Sequence, residues 1–295
     1  MKKELILTRN TEDIGLLASW LFQKGSKTQR YYRRVVRDFF QFFPGLTLKT
    51  TQITHLVLFL RTYGDQPADS TRNTYKNALS SLFGFATKTG YLEKNPALAL
   101  ETIKVADRLH TKVLSREQVE RMIQCEQSVR NRLLLKILYF MGLRVDEVAR
   151  LRTQSFHASS QGLTMTVEGK GRKVRSLHIP DHLAREILAY LGGQDAEFLF
   201  VSQKNTFGVE RPLNASQIFR IVKQAAARAG LSVAPSPHWL RHTSATHAIE
   251  AGAPIHVVQR SLGHESVATT GKYLEIRPKE SVGDYLAPLP VKESP

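Results

Sequence analysis

One cysteine in 295 residues excludes an internal disulfide and any zinc site built on several thiolates. That residue, Cys125, falls in the helical pattern EQVERMIQCEQ, and no chemistry is assigned to it. Long apolar runs are also missing: LLLKILYFMG (133 to 142) is interrupted by Lys136 and is too short for a bilayer. The opening MKKELILTRN has no secretory apolar core. The expectation is a soluble cytoplasmic protein with no membrane partner. HExxH, clustered cysteines, a carboxylate pair beside the histidines and the GxxxxGK[ST] loop are absent too, so neither a metal nor another cofactor is expected.

Acid is scarce. Lys and Arg number 42 against 26 Asp and Glu, a formal charge of +16. Up to residue 110 there are 17 basic and 9 acidic residues, and after it 25 and 17, so each part carries +8. An excess spread in this way is no basic tail. Two separately basic regions suit a polyanion held from two sides, nucleic acid first among them.

Hydrophobic residues make up 42% of the chain, enough for two cores. From residue 11 to about 100 every segment reads as helix, opening on Ser, Thr or Asp and closing at Gly or Pro. In SKTQRYYRRVVRDFFQFFPG the 100° spacing places Arg30, Arg33, Arg34 and Arg37 on one face and Val35, Val36, Phe39, Phe40 and Phe43 on the other. Four arginines with no acid among them repel one another, which makes them candidates for phosphate contact rather than only a solvated face. Arg72 and Lys76, one turn apart on the fourth helix, form a weaker pair of the same kind.

The organisation expected is a helical domain over 1–105, a linker over 106–114 and a second domain over 115–295, with LAPLPVKESP as a flexible tail. In the second domain SREQ begins a helix with a capping box. NRLLLKILYFMG forms a buried helix, and Arg144 heads the next one. LTMTVEG and KVRSLHIP alternate as strands around GKGRK, a β-hairpin with Lys170 at its tip. Helices then resume, including HWLRHTSATH, in which His238 and Arg241 lie one turn apart. His264 ends a helix and Tyr273 follows nine residues later. The fold class is therefore mainly α with a small β-sheet.

GLRVDEVARL, VEGKGRKVRSLHIP, HWLRHTSATH, LGH and TTGKY resemble, in order and spacing, the motifs of the tyrosine recombinases, the phage integrase and Xer-like family. The match covers residues 111 to 275, and the basic helical first domain followed by NPAL resembles that family's core-binding domain. The resemblance implies a C-shaped clamp on duplex DNA. It also implies catalytic roles for Arg144 and Arg241 as phosphate-binding arginines, Lys170 as the acid for the departing 5′ oxygen, and His238 as the assisting base. His264 would bond the phosphate and Tyr273 would be the nucleophile. Guanidiniums suit such a reaction, because the non-bridging oxygens of the five-coordinate transition state are negative and take planar, bidentate donors.

On the hairpin, Arg172, Lys173 and Arg175 are candidates to seat the DNA backbone, with solvated turn charges the alternative. Glu147, one turn after Arg144, reads as that arginine's acceptor or as a helix cap. His242 and His247 read as structural, and Tyr285 has no motif around it. One departure stands out: relatives often continue Tyr-x-His, whereas here the sequence is YLEIRPKESVGDYL.

By the same resemblance the protein is a monomer in solution and a homotetramer on two DNA sites, with an accessory DNA-bending or partner recombinase protein as a further partner and the nucleoid as its place. The short stretch before the first helix leaves no room for an arm-site domain, which favours a simple core site. Three alternatives stay open: a type IB topoisomerase-like relaxing enzyme, a catalytically silent DNA-binding regulator, and a mobile-element transposase of the same chemistry, which the sequence does not separate from a phage integrase or a chromosome dimer resolvase.

Overall fold

The computed structural model describes residues 10–64, 68–103, 112–169, 173–193, 196–202 and 210–263. Lys170, Arg172, His264 and Tyr273 lie outside the described residues, as do the helix expected at SVATTGKYL and the tail. The chain separates into two compact units, Met1–Asp107 and Arg108–Pro295.

The first unit holds α1 (Thr11–Phe22), α2 (Ser26–Phe42), α3 (Ile53–Thr62) and α4 (Asp69–Lys88). The amphipathic reading of α2 holds: Val35, Val36, Phe39 and Phe40 are buried against Leu56, Phe59 and Leu82. Each fully buried Phe or Leu of this kind contributes about 1.5–3 kcal/mol. Asp13 on α1 is wholly buried. It accepts from the Tyr91 hydroxyl at 2.7 Å and from the Leu48 amide at 3.0 Å, tying three segments together.

The second unit begins with α5 (Arg116–Gln124), which has the expected capping box between Ser115 and Gln118, and α6 (Val129–Phe140). The short α7 (Val145–Ala149) follows, then β1 (Phe156–Ser159), β2 (Gly162–Glu168), β3 (Val174–His178) and α8 (Asp181–Gly192). The unit continues with α9 (Ala215–Arg228), α10 (Pro237–Glu250) and α11 (Ile255–Leu262). The three strands form one antiparallel sheet in the order β1-β2-β3. Its first strand was not anticipated: FHAS is short and nearly all exposed, so it carries no alternating apolar signal.

Leu163, Met165 and Val167 point inward from β2, as their alternation requires. Met165 pairs with Leu177 and Val167 with Arg175, so Arg175 stands on the covered face of β3. α6 is the apolar axis of this unit, with Leu133, Leu134, Leu135, Ile137 and Leu138 buried. α10 packs along it, pinned where the Tyr139 hydroxyl meets His247 Nδ1 at 2.8 Å. His247 is thus structural. Among the described residues no helix is long and apolar enough to cross a membrane.

Candidate active site

The site is built around the last turn of α11. That helix ends at Gly263, whose φ of 66° closes it in the left-handed conformation that glycine adopts without strain. Closure exposes the carbonyls of Ser261, Leu262 and Gly263 at the negative end of the helix dipole, where cations are favoured.

Three arginines occupy them. Arg241, only 1% exposed, donates from Nη2 to the Leu262 oxygen at 2.8 Å and from Nη1 to the Gly142 oxygen at 2.7 Å. Arg144 stands at the N-cap of α7 and donates from Nη1 to the Leu262 oxygen at 3.3 Å and from Nη2 to the Gly263 oxygen at 3.1 Å. Arg175 reaches in from β3, with Nε on the Ser261 oxygen at 3.1 Å.

Glu147 completes the arrangement. Its side chain is 1% exposed, and it accepts from both terminal nitrogens of Arg175 at 2.9 Å and from Arg144 Nη1 at 3.1 Å. It also accepts from the Arg144 amide at 2.8 Å. The two readings of Glu147 are therefore both realised, since one oxygen caps the helix and the other holds the guanidinium. Burial pushes its carboxyl pKa up, but the hydrogen bonds and charges of Arg175 and Arg144 outweigh that and hold it below the usual carboxylate value.

His238 lies in the first turn of α10. The surrounding protein strips water from its ring, and the cations of Arg241, Lys112 and Arg144 add to this, holding its pKa below the ordinary histidine value. A neutral imidazole beside two guanidiniums is able to accept a proton, as a base must. The expectation that His238 and Arg241 lie side by side needs refining. Arg241 turns inward to the carbonyls, and the ring of His238 packs edge-on against His242 at 4.1 Å between centroids.

The basic residues proposed for backbone contact divide. Lys173 is exposed beside the hairpin. Arg175 is not available on the surface: it is 14% exposed and turned into Glu147, because strand register places it opposite Val167. On α2 the assumption of four arginines without an acid fails. Asp38 is buried beneath the stripe and takes Arg37 Nη2 at 3.1 Å and Arg34 Nε at 3.5 Å, as well as the Tyr75 hydroxyl at 3.3 Å. Arg30 is exposed, while Arg33, Arg72 and Lys76 are half-buried. Arg72 pairs with Asp69 at 2.9 Å.

Sequence reasoning missed the inward role of Arg175, although the signal was present. Arg175, Leu177 and Ile179 share one phase of the strand, and Leu177 and Ile179 are buried. It also missed the backbone carbonyls of α11, which no side-chain pattern announces.

Three guanidiniums gathered on the carbonyls that end α11, with the imidazole of His238 in their field, make a cationic site suited to a phosphate group, set in a mainly helical unit with a small sheet. The sequence pattern of the phage integrase family matches residues 112–280. A tyrosine recombinase of Thermosipho africanus is 29% identical over 86% of this chain and 90% of its own. Tyrosine recombinase XerA of Thermococcus kodakarensis is 31% identical over 86% of each. The fold is that of XerH site-specific recombinase in its post-cleavage complex with palindromic difH substrate, with a TM-score of 0.71, 23% identity and 94% and 88% of the two chains covered. It is likewise that of a lambda integrase tetramer bound to a Holliday junction, with a TM-score of 0.71, 19% identity and coverage of 91% and 78%. The chain belongs to the phage integrase family, and with it to the tyrosine recombinases.

Proposed function

We propose that the chain cleaves and rejoins DNA at a short specific site through a covalent 3′-phosphotyrosine. The observation that carries this reading is the pair Arg144 and Arg241, fixed on one backbone acceptor beside His238. In the reaction the Tyr273 oxygen attacks phosphorus and the bond to the 5′ oxygen breaks. His238 takes the phenol proton, Lys170 protonates the departing 5′ oxygen, and Arg144, Arg241 and His264 hold the non-bridging oxygens. The phosphotyrosyl bond keeps the energy of the broken linkage, so a 5′ hydroxyl from a second strand restores a phosphodiester without ATP and releases the phenol.

The helical first domain, 1–105, contributes DNA contacts from Arg30, Arg33, Arg34, Arg37, Arg72 and Lys76. The residues after 115 carry the chemistry, with Arg172 and Lys173 seating the backbone beside Lys170. Both units contribute DNA contacts. Four protomers join two sites and exchange strands in pairs, and the free protein is a monomer that works at the nucleoid, with or without an accessory DNA-bending or partner recombinase protein. The solved complexes of its structural relatives, as dimer and as tetramer on DNA, support this assembly.

The test is to incubate the protein, free of metal, with supercoiled DNA carrying its native flanking region, quench with detergent and sequence the trapped ends. Adducts confined to one short site, with recombinant product, support the proposal. Adducts scattered along the DNA with relaxation point instead to a topoisomerase, and binding without adduct points to a silent regulator.

A further inference from the structure

We propose that Arg175 is a positioning residue for cleavage: its ion pair with Glu147 fixes the catalytic hairpin against the end of α11. The inference rests on the reading above of Arg144, Lys170, Arg241 and His264 as the phosphate-binding set.

Three nitrogens of one guanidinium are committed to two separate elements. Nη1 and Nη2 each meet a different oxygen of Glu147 at 2.9 Å, and Nε meets the Ser261 carbonyl at 3.1 Å. The planar fork of arginine fits this demand, whereas a lysine ammonium is a single point charge unable to hold both carboxylate oxygens and a carbonyl across the gap.

The neighbours of the pair give it a functional meaning. A methyl group on Gly263 would lie 3.2 Å from the Arg175 guanidinium, so the backbone before His264 rests directly on it. A methyl group on Gly169 would lie 3.4 Å from Arg175 Nη1 and 3.5 Å from Glu147 Oε1, so the backbone before Lys170 rests on the same pair. Glu147 holds Arg144 by its amide and its guanidinium. Arg241 shares the adjoining Leu262 carbonyl. Arg144 and Arg241, together with the glycines that precede Lys170 and His264 in sequence, are thus gathered around one buried contact, although Arg175 itself need not touch phosphate.

Charge points the same way. Without Arg175, the Glu147 carboxylate faces Arg144 as its remaining guanidinium partner and draws it away from the substrate. A displacement of about 1 Å at such a site lowers the rate on the order of 10²-fold.

The experiment uses the full chain and a nicked duplex built on the site mapped by the adduct assay. Arg175→Lys, Arg175→Met and the double change Arg175→Met with Glu147→Gln are compared with wild type. The double change removes both charges together, so no buried ion is left alone. Cleavage at saturating DNA is measured at least 20 °C below each variant's own melting midpoint, alongside affinity at several salt concentrations and the pH profile.

The expected result is a saturating cleavage rate lower by about 10²-fold in all three variants, lysine not rescuing, with affinity kept within about threefold. In Arg175→Met the acid limb, which His238 sets, stays in place, because Arg175 is not among the cations that depress that histidine's pKa. A full saturating rate with weaker binding and a salt slope shallower by about one unit makes Arg175 a phosphate contact and overturns the proposal. A full rate with only a lower melting midpoint overturns it too. Failure of the wild type to form any adduct overturns the recombinase reading itself, a result separable because it does not involve the variants.

Discussion

Arg144 and Arg241 donate to the same atom, the carbonyl oxygen of Leu262, at 3.3 and 2.8 Å. Two like charges meet there because a helix end places a negative dipole between them and Glu147 adds a full negative charge alongside. The arginines are thereby set before substrate arrives. Such preorganisation lets donors stabilise a developing charge without reorganising at the moment of reaction.

Arg241→Lys keeps the charge but cannot reach both Gly142 and Leu262 from one planar group. Cleavage at saturating DNA is expected to fall on the order of 10² to 10³-fold, as for loss of one preorganised oxyanion donor. Affinity measured by gel shift changes far less. Equal losses in both would reduce Arg241 to a fold-supporting residue.

Gly142→Ala tests the carbonyl platform without touching a charge. The position has φ of 57°, and an added methyl group would meet the Leu262 side chain at 2.6 Å. Either the tip of the buried Leu262 side chain gives way or the strained backbone at 142 shifts, and the Gly142 carbonyl that holds Arg241 lies at that backbone. Cleavage should drop at least about tenfold more than binding, since small misplacements at a reacting centre are amplified in rate. Comparable rates in the variant would show that the platform tolerates movement.

The pH dependence follows from His238. Its folded pKa lies below the ordinary histidine value because of desolvation and the surrounding cations. As the proposed base, His238 stays neutral at pH values where a free histidine is already part protonated, and activity is expected to be lost as pH falls through the depressed pKa. The acid limb of the cleavage profile should lie below about 6.5. In Arg144→Gln one of the cations that depress this pKa is gone, so the limb should move up. A limb that stays fixed in that variant would remove His238 from the role of base.

On α2 the buried Asp38 divides the arginines into two kinds. Replacing Arg30 and Arg33 with alanine should flatten the salt dependence of DNA binding by about 0.9 unit per lost phosphate contact. Replacing Arg34 and Arg37 should cost less, because Asp38 already shares their charge. The comparison is a series of binding isotherms at varied salt. Identical slopes for the two double variants would discard this division.

Much of the second unit was legible in the sequence because its signals are local. The Ser115 capping box, the alternation of Leu163, Met165 and Val167, and the apolar run of α6 each report their own element. β1 was not legible, since four residues with exposed side chains carry no phase. Asp38 was overlooked for a related reason: it is adjacent to Arg37 in sequence, but only packing of α2 on α4 shows that its carboxylate lies under the stripe, beside Tyr75. The family motifs gave Arg144 and Arg241, yet the atoms that hold them are backbone oxygens whose position depends on how α11 ends. Arg175 had a signal, its shared phase with Leu177 and Ile179, that its proximity to a basic turn obscured.

The central claim is that this arginine platform serves attack by Tyr273. It is tested most directly by trapping the protein on a nicked duplex of its site, digesting the complex and identifying the modified peptide by mass spectrometry. A 3′-phosphotyrosyl adduct at Tyr273, absent in Tyr273→Phe with binding intact, is the predicted result. An adduct on another residue, or one that persists in Tyr273→Phe, would contradict the account.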